Sequence, residues 1–160
     1  MRHWCLCTSP ENWNVCKTHS IFGFDWRYLP TLERYVRPGD RAVVYVHGGL
    51  FQATVELNGP WEEDHKPLGW TKGGRPYVYP LRIPPRIIQE GAARIEWSID
   101  HNEKRVLSRR TGLLDDIEFI ADKGKTWNQY LQVSIVRVPE EDYETVRKAL
   151  AETNQQSRLF

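Results

Sequence analysis

The chain has 160 residues and a formal net charge of +1, with 22 basic against 21 acidic side chains. That length suits one domain able to bury about two thirds of its unfolded surface without disulfides or metal. A near-neutral balance excludes a protein that wraps duplex nucleic acid over many phosphates, because such binding scales with the counterions released. Seven Trp and seven Tyr are more rings carrying N–H or O–H groups than one core of this size readily hides.

Residues 3–8 read as a strand, His3, Cys5 and Cys7 on one face and Trp4 and Leu6 on the other. Ser9, Pro10 and Glu11 supply an N-cap, a first-turn proline and an early acid, predicting a helix from Pro10 to about His19. Ile21–Trp26 reads as an aromatic loop interrupted by Gly23, and Thr31–Val36 as a helical turn ended by Arg37-Pro38-Gly39-Asp40. Arg41–His47 is a β-branched strand that Gly48-Gly49 turns into an antiparallel partner, Leu50–Leu57.

Residues 58–76 read as loop, with Gly73-Gly74 a turn, and Tyr77–Ile83 as a third strand stopped by Pro84-Pro85. Ile87–Asp100 fits a strand or a short helix. Residues 101–111 carry a basic run including Arg105, Arg109 and Arg110. Leu113–Ala121 fits a short helix or strand, and Trp127–Val138 is mixed with a strand-like end. Pro139-Glu140-Glu141-Asp142 opens a helix whose acids suit its positive N-terminus, with Val146 and Leu150 on its apolar face. From about residue 151 a polar, frayed tail is expected. The pattern is α+β around a curled, mostly antiparallel sheet, in one domain. No signal-peptide-like stretch opens the chain and nothing approaches the ~20 apolar residues of a membrane span, so the chain reads as cytoplasmic and soluble.

Five segments together resemble the EVE domain family. They are Trp4 followed by Ser9-Pro10-Glu11-Asn12-Trp13; Phe22-Gly23; Pro38-Gly39-Asp40 into Val43-Val44-Tyr45-Val46; Tyr79-Pro80-Leu81-Arg82; and Phe119-Ile120 through Lys125 and Trp127 to Pro139–Tyr143. The likeness spans roughly residues 3–150 and is nearest to the stand-alone archaeal type. It implies a PUA-like curled β-barrel of mostly antiparallel strands with flanking helices, related to YTH and ASCH domains. It also implies a partner, DNA or RNA carrying a modified, methylated base held in an aromatic pocket, with no catalysis. Many bacterial EVE domains carry Trp-x-Gly-Val-Arg-Asn where this chain has Ile21-Phe22-Gly23-Phe24-Asp25-Trp26, so the likeness places the pocket and leaves the ligand open.

A base reader needs rings to replace the lost stacking, neutral groups for the base edge, and cations for the strand. Trp13, Phe22 and Phe24 are the candidate rings, with Trp26 and Trp70 further out; Trp13 reads equally as core between helix and sheet. Phe22 and Phe24 flank Gly23 in a stretch read as loop, where both cannot easily be buried. Ser9, Asn12 and the backbone at Gly23 are candidates for the base edge, although Ser9 fits a plain N-cap. Tyr45 and His47 share a strand face that is either pocket or core. Lys17, Arg82, Arg109 and Arg110 are the candidate phosphate rim.

Cys5, Cys7, Cys16 and His19 lack Cys-x-x-Cys spacing, and the cysteines read as small buried hydrophobes, with no metal or cofactor expected. A Cys–His hydrolase pairing Cys16 with His19 or His47 lacks an orienting third residue and an oxyanion turn. An ASCH-type hydrolase acting on a modified nucleoside, with Lys17 as its reactive group, and a protein-interaction module are the alternatives. Oligomeric state is left open, a monomer being compatible.

Overall fold

A computed structural model describes residues 1–95, 113–121 and 127–159. Strand β1 (His3–Thr8) is buried on both faces, and its alternation sorts its side chains between two cores. Trp4 and Leu6 join one; Cys5 and Cys7 join the other. Strand β3 (Arg41–Val46) lies parallel to β1 and repeats the division, with Ala42, Val44 and Val46 on the first side and Val43 and Tyr45 on the second. Runs of β-branched residues covered from both sides are what a central strand requires.

Strand β4 (Leu50–Leu57) pairs antiparallel with β3 across the Gly48-Gly49 turn, where both glycines take positive φ. The register slips between Val44 and Tyr45, leaving Gln52 as an extra residue. This bulge changes the parity of β4, so that Phe51 faces the second core while Ala53, Val55 and Leu57 face the first. Among the described residues, β9 (Pro85–Arg94) and β10 (Ile135–Val138) flank a five-stranded sheet in the order β10-β1-β3-β4-β9.

The second face is covered by helix α3 (Glu140–Leu159), through Tyr143, Val146 and Leu150, and by Leu114, Ile117 and Ile120. The first is covered by helix α1 (Pro10–His19), helix α2 (Leu29–Arg34) and a small second sheet. In that sheet β8 (Leu81–Ile83) lies between β2 (Phe22–Phe24) and β5 (Glu62–Glu63). A separate hairpin joins β6 (Thr71–Lys72) to β7 (Arg75–Pro76). Its two turn residues, Gly73 and Gly74, have φ of 60° and 76°, the left-handed pair that such a two-residue connection requires.

Local chemistry fixes the ends. Ser9 Oγ accepts from Asn12 N at 3.2 Å and Pro10 occupies the first turn of α1. The buried Asp40 carboxylate accepts from Trp4 Nε1 (3.0 Å), Arg37 N (3.0 Å) and Arg2 N (3.1 Å), tying the Pro38-Gly39 turn to β1 and giving the Trp4 indole its partner. No helix among the described residues is long and apolar enough to cross a membrane.

The α+β class and the mostly antiparallel sheet are as expected, and several elements are corrected. Ile21–Trp26 contains strand β2 and opens a 3-10 turn at Trp26–Tyr28. Helix α2 begins at Leu29, because Pro30 is tolerated in a first turn. The third strand is only Leu81–Ile83. It ends at Pro84-Pro85, as expected, and Pro85 opens β9, which among the described residues is an outer strand of the larger sheet, where a missing N–H is tolerated. Residues 58–76 hold three short strands. Helix α3 runs to Leu159, through the stretch expected to fray.

Asp142, 2% exposed, accepts from Glu118 N and Phe119 N, at 2.8 Å for the shortest of these bonds, and so pins the 113–121 segment to α3. Asp142→Ala strands both donors. The variant should lose about 2–3 kcal/mol, read as a lower urea midpoint at unchanged slope.

Candidate functional site

A cavity of about 410 Å³ opens between the first core's cover and the end of the central sheet. Its wall is contributed by the end of β1 and the start of α1 (Cys7, Thr8, Ser9, Glu11, Asn12 and Cys16), by β2 and the following turn, by His47, by Trp70 and the β6–β7 hairpin, and by Tyr79 and residues 132–134. Its size falls within the ~300–1,000 Å³ usual for small-ligand sites.

The wall is built around a close approach. In the β2–β8 pair Gly23 lies opposite Arg82, so the side of the strand that carries Arg82 has no side chain at Gly23. The Trp70 ring fills that space. A Cβ built on Gly23 would lie 2.6 Å from Tyr79 Cβ and 2.7 Å from the Trp70 ring. Tyr79 meets Trp70 edge-on at 5.5 Å, and the Arg82 guanidinium lies 5.1 Å from the Trp70 ring centre. Arg82 is itself buried, donating to the carbonyls of Tyr79 (3.0 Å) and Lys66 and pairing with Asp64 at 3.5 Å. It fixes the 64–79 segment behind the cavity and does not stand on the rim.

Phe22 and Phe24 are both buried, at 3% and 1% exposure, although a loop there was expected not to bury both easily. The reason is the strand: positions 22 and 24 share a face, and that face is core. Both still border the cavity, beside Tyr28, whose ring meets Phe24 at 6.4 Å. Trp13 packs on Phe22 at 5.8 Å and is buried. It borders a different cavity of about 340 Å³ with Lys17, Asn58, Arg86 and Ile87. Lys17 stands over the Trp13 ring at 5.4 Å and pairs with Glu90 at 3.7 Å, away from the main cavity. Tyr45 belongs to the second core, whereas its neighbour His47, beyond the end of β3, is exposed and borders the main cavity. Trp26 is outside the wall, 48% exposed. Arg109 and Arg110 lie outside the described residues.

The polar groups divide by role. Ser9 caps α1 at the cavity's edge. Asn12 gives both ends of its amide to Thr71, donating to Thr71 O at 2.8 Å and accepting from Thr71 N at 2.9 Å, as a neighbouring strand would. This pair attaches the β6–β7 hairpin to α1. On the hairpin's other side Asp25 accepts from the Tyr77 hydroxyl and pairs with Lys72 Nζ at 3.2 Å; Lys72 in turn lies 4.8 Å from the Tyr77 ring centre. Arg27 and Lys72 are thus the cations lining the cavity among the described residues, with Glu11 and Asp25 as acids. Asp25, Tyr28, Tyr79 and the hairpin were missed by sequence reading; the alternation Tyr77–Tyr79 and the Gly73-Gly74 pair were the available signals.

Cys16 borders the cavity, but burial pushes its thiol up to about 12, so it is protonated at neutral pH. Cys5 and Cys7 lie with sulfurs 3.8 Å apart, and burial raises the Cys5 thiol well above its usual range. All three cysteines are free, and among the described residues no group of three or more His, Cys, Asp or Glu side chains is placed to hold a metal ion.

No family model matches the chain. It is 28% identical to a UPF0310 protein of Pyrococcus horikoshii, over 94% of this chain and 99% of that one. Its fold is similar to the Mmi1 YTH domain solved in complex with RNA, with a TM-score of 0.58, 6% identity, and coverage of 98% of this chain and 82% of that one. It is also similar to the YTH domain of Zygosaccharomyces rouxii MRB1 in complex with N6-methyladenosine RNA, with a TM-score of 0.50, 13% identity, and coverage of 91% and 85%. The chain therefore has the PUA-like α+β fold of YTH domains.

Two outcomes follow from the wall. Gly23→Ala overpacks Trp70 and Tyr79 and should cost about 1–3 kcal/mol, with a shifted tryptophan emission in the folded state, measured in urea titrations followed by fluorescence. Tyr77 is raised from 10.0 to about 12, first by its hydrogen bond to Asp25. The folded state thus favours the neutral phenol, and its contribution to stability holds below pH 10 and is lost as pH rises towards 12. Asp25→Asn should bring the Tyr77 transition down towards 10 in an ultraviolet titration.

Proposed function

We propose that the chain is an EVE-type reader of a modified base, taking one base of DNA or RNA into the 410 Å³ cavity and catalysing no reaction on it. The observation that carries this is the wall itself, in which the rings of Phe22, Phe24, Tyr28, Trp70 and Tyr79 and at least as many polar side chains, among them Ser9, Asn12, Asp25 and Thr71, border a space of the size usual for a small ligand. Stacking on such rings recovers about 1–3 kcal/mol per base, enough to offset extrusion from a stack. The likeness to a YTH domain complexed with N6-methyladenosine RNA supports the same reading.

The acids and cations of the site have separable roles in this reading. The Asp25 carboxylate is an acceptor, which favours a base edge presenting an amino group, as adenine and cytosine do, over one presenting a carbonyl. Arg27 and Lys72, which both line the cavity, neutralise the adjoining phosphates. Two observations favour binding over hydrolysis: the cavity thiol of Cys16 is held protonated, and Lys17 belongs to the other cavity.

The test is a tryptophan-fluorescence titration with single-stranded oligonucleotides carrying N6-methyladenine, 5-methylcytosine or a modified thymine-like base, beside unmodified parents. Saturable quenching should select a modified adenine or cytosine. Tyr79→Leu, which keeps apolar volume and removes the ring, should weaken that binding about tenfold or more. No response to any modified strand would overturn the reading.

A further inference from the structure

We propose that Trp26, with Arg27 beside it, forms a second subsite at the cavity mouth that stacks the base neighbouring the one held inside. The inference rests on the base-reading function above and assigns the next nucleotide of the strand as its ligand.

The placement is specific. Trp26 opens the 3-10 turn Trp26–Tyr28, and the residues on either side of it, Asp25 and Arg27, both line the cavity. The indole between them is turned outward, 48% exposed, while Trp4, Trp13 and Trp70 are exposed by only 2–3%. A large ring held at the lip of a ring-lined cavity offers a π-face to whatever emerges from it. Arg27 lies over the Tyr28 ring at 5.1 Å, which keeps its guanidinium at the same lip.

A second exposed ring lies just before lining residues 132–134 in the chain. Tyr130, 38% exposed, belongs to the 3-10 turn Trp127–Leu131, which leads directly into the lining residues 132–134. That segment is fastened to the Trp26 turn, since Ser134 N donates to the Tyr28 hydroxyl at 2.9 Å. These two exposed aromatics therefore stand on segments linked by a hydrogen bond, with a cation on one of them. Aromatic platforms interleaved with cations are how proteins hold single strands without reading every base. A net charge of only +1 adds weight, because a chain with little excess positive charge has to hold the strand next to the bound base largely by stacking.

Free nucleoside and strand separate the two subsites. Fluorescence anisotropy with a labelled five-nucleotide single strand, modified at its centre, measures both; the free modified nucleoside, by competition, measures the cavity alone. Trp26→Ala should weaken the strand roughly fivefold to a hundredfold, the equivalent of one stacked base, and change the free nucleoside by less than twofold. Trp26→Tyr should restore most of the loss. Arg27→Gln should lower the dependence of strand affinity on salt, whereas Trp26→Ala should leave that slope unchanged. Unchanged strand affinity in Trp26→Ala overturns the subsite and assigns the ring to another role, such as a protein contact. Equal loss of strand and nucleoside also overturns it, by making Trp26 a support of the cavity. If the wild-type protein binds neither nucleoside nor strand, the base-reading function itself falls and the subsite with it.

Discussion

Strands that are apolar on both faces have to be covered twice, and this requirement organises the molecule. In β1 and β3 every second side chain enters a different core, so that neither face can be left to water. The second face receives a regular cover, helix α3 with the pinned 113–121 segment. The first receives a composite of α1, α2, the three-stranded sheet and the Trp70 segment. Pieces of such different shape do not close flush against the sheet, and the cavity lies where the end of β1, β2 and the β6–β7 hairpin converge. The Gln52 bulge belongs to the same requirement, since it lets one strand serve the second core at its start and the first along the rest.

Buried and half-buried polar side chains act here chiefly as fasteners of loops. Asp40 gathers three donors around the turn before β3; Asp142 gathers the donors of residues 118 and 119; Asn12 stands in for a missing strand beside Thr71; Arg82 binds the carbonyls behind Trp70. Each satisfies backbone groups that would otherwise be desolvated without a partner. A side chain with the right chemistry for reading a base edge can therefore be committed to the scaffold, as Asn12 largely is, while the less conspicuous Asp25 borders the cavity.

Much of this was legible in the sequence, for reasons that can be located. The alternation of Trp4–Cys7, the Ser9-Pro10 start of α1, the glycine pair between β3 and β4, and the acids opening α3 each depend on near neighbours alone. Strand β2 was not legible because three residues around a glycine carry too little periodicity, and its role depends on β8, some sixty positions away. Pro84-Pro85 marked the end of β8, but that Pro85 itself opens β9 was not legible, because a proline's cost in a sheet depends on whether the strand lies at an edge, which only the fold decides. Of the residues that border the cavity, Ser9, Asn12, Phe22, Gly23 and Phe24 were named from local features. Trp70 was named only as an outer candidate, and the half from Thr71 to Tyr79 and from residues 132 to 134 is brought in by the topology.

The contact of Gly23 with Trp70 and Tyr79 also bears on how such a site can change over evolutionary time. At this position any added side chain meets Tyr79 and Trp70 within 3 Å before it can meet a ligand. The floor of the cavity is thus closed to gradual drift, and a glycine here would be retained across descendants that bind different ligands. New preferences have to arise instead at the margins, on Asp25, Arg27, Lys72 and residues 132–134, where turns and half-exposed side chains absorb a substitution without disturbing either core. Ancestry would be recorded in the floor and ligand choice in the rim.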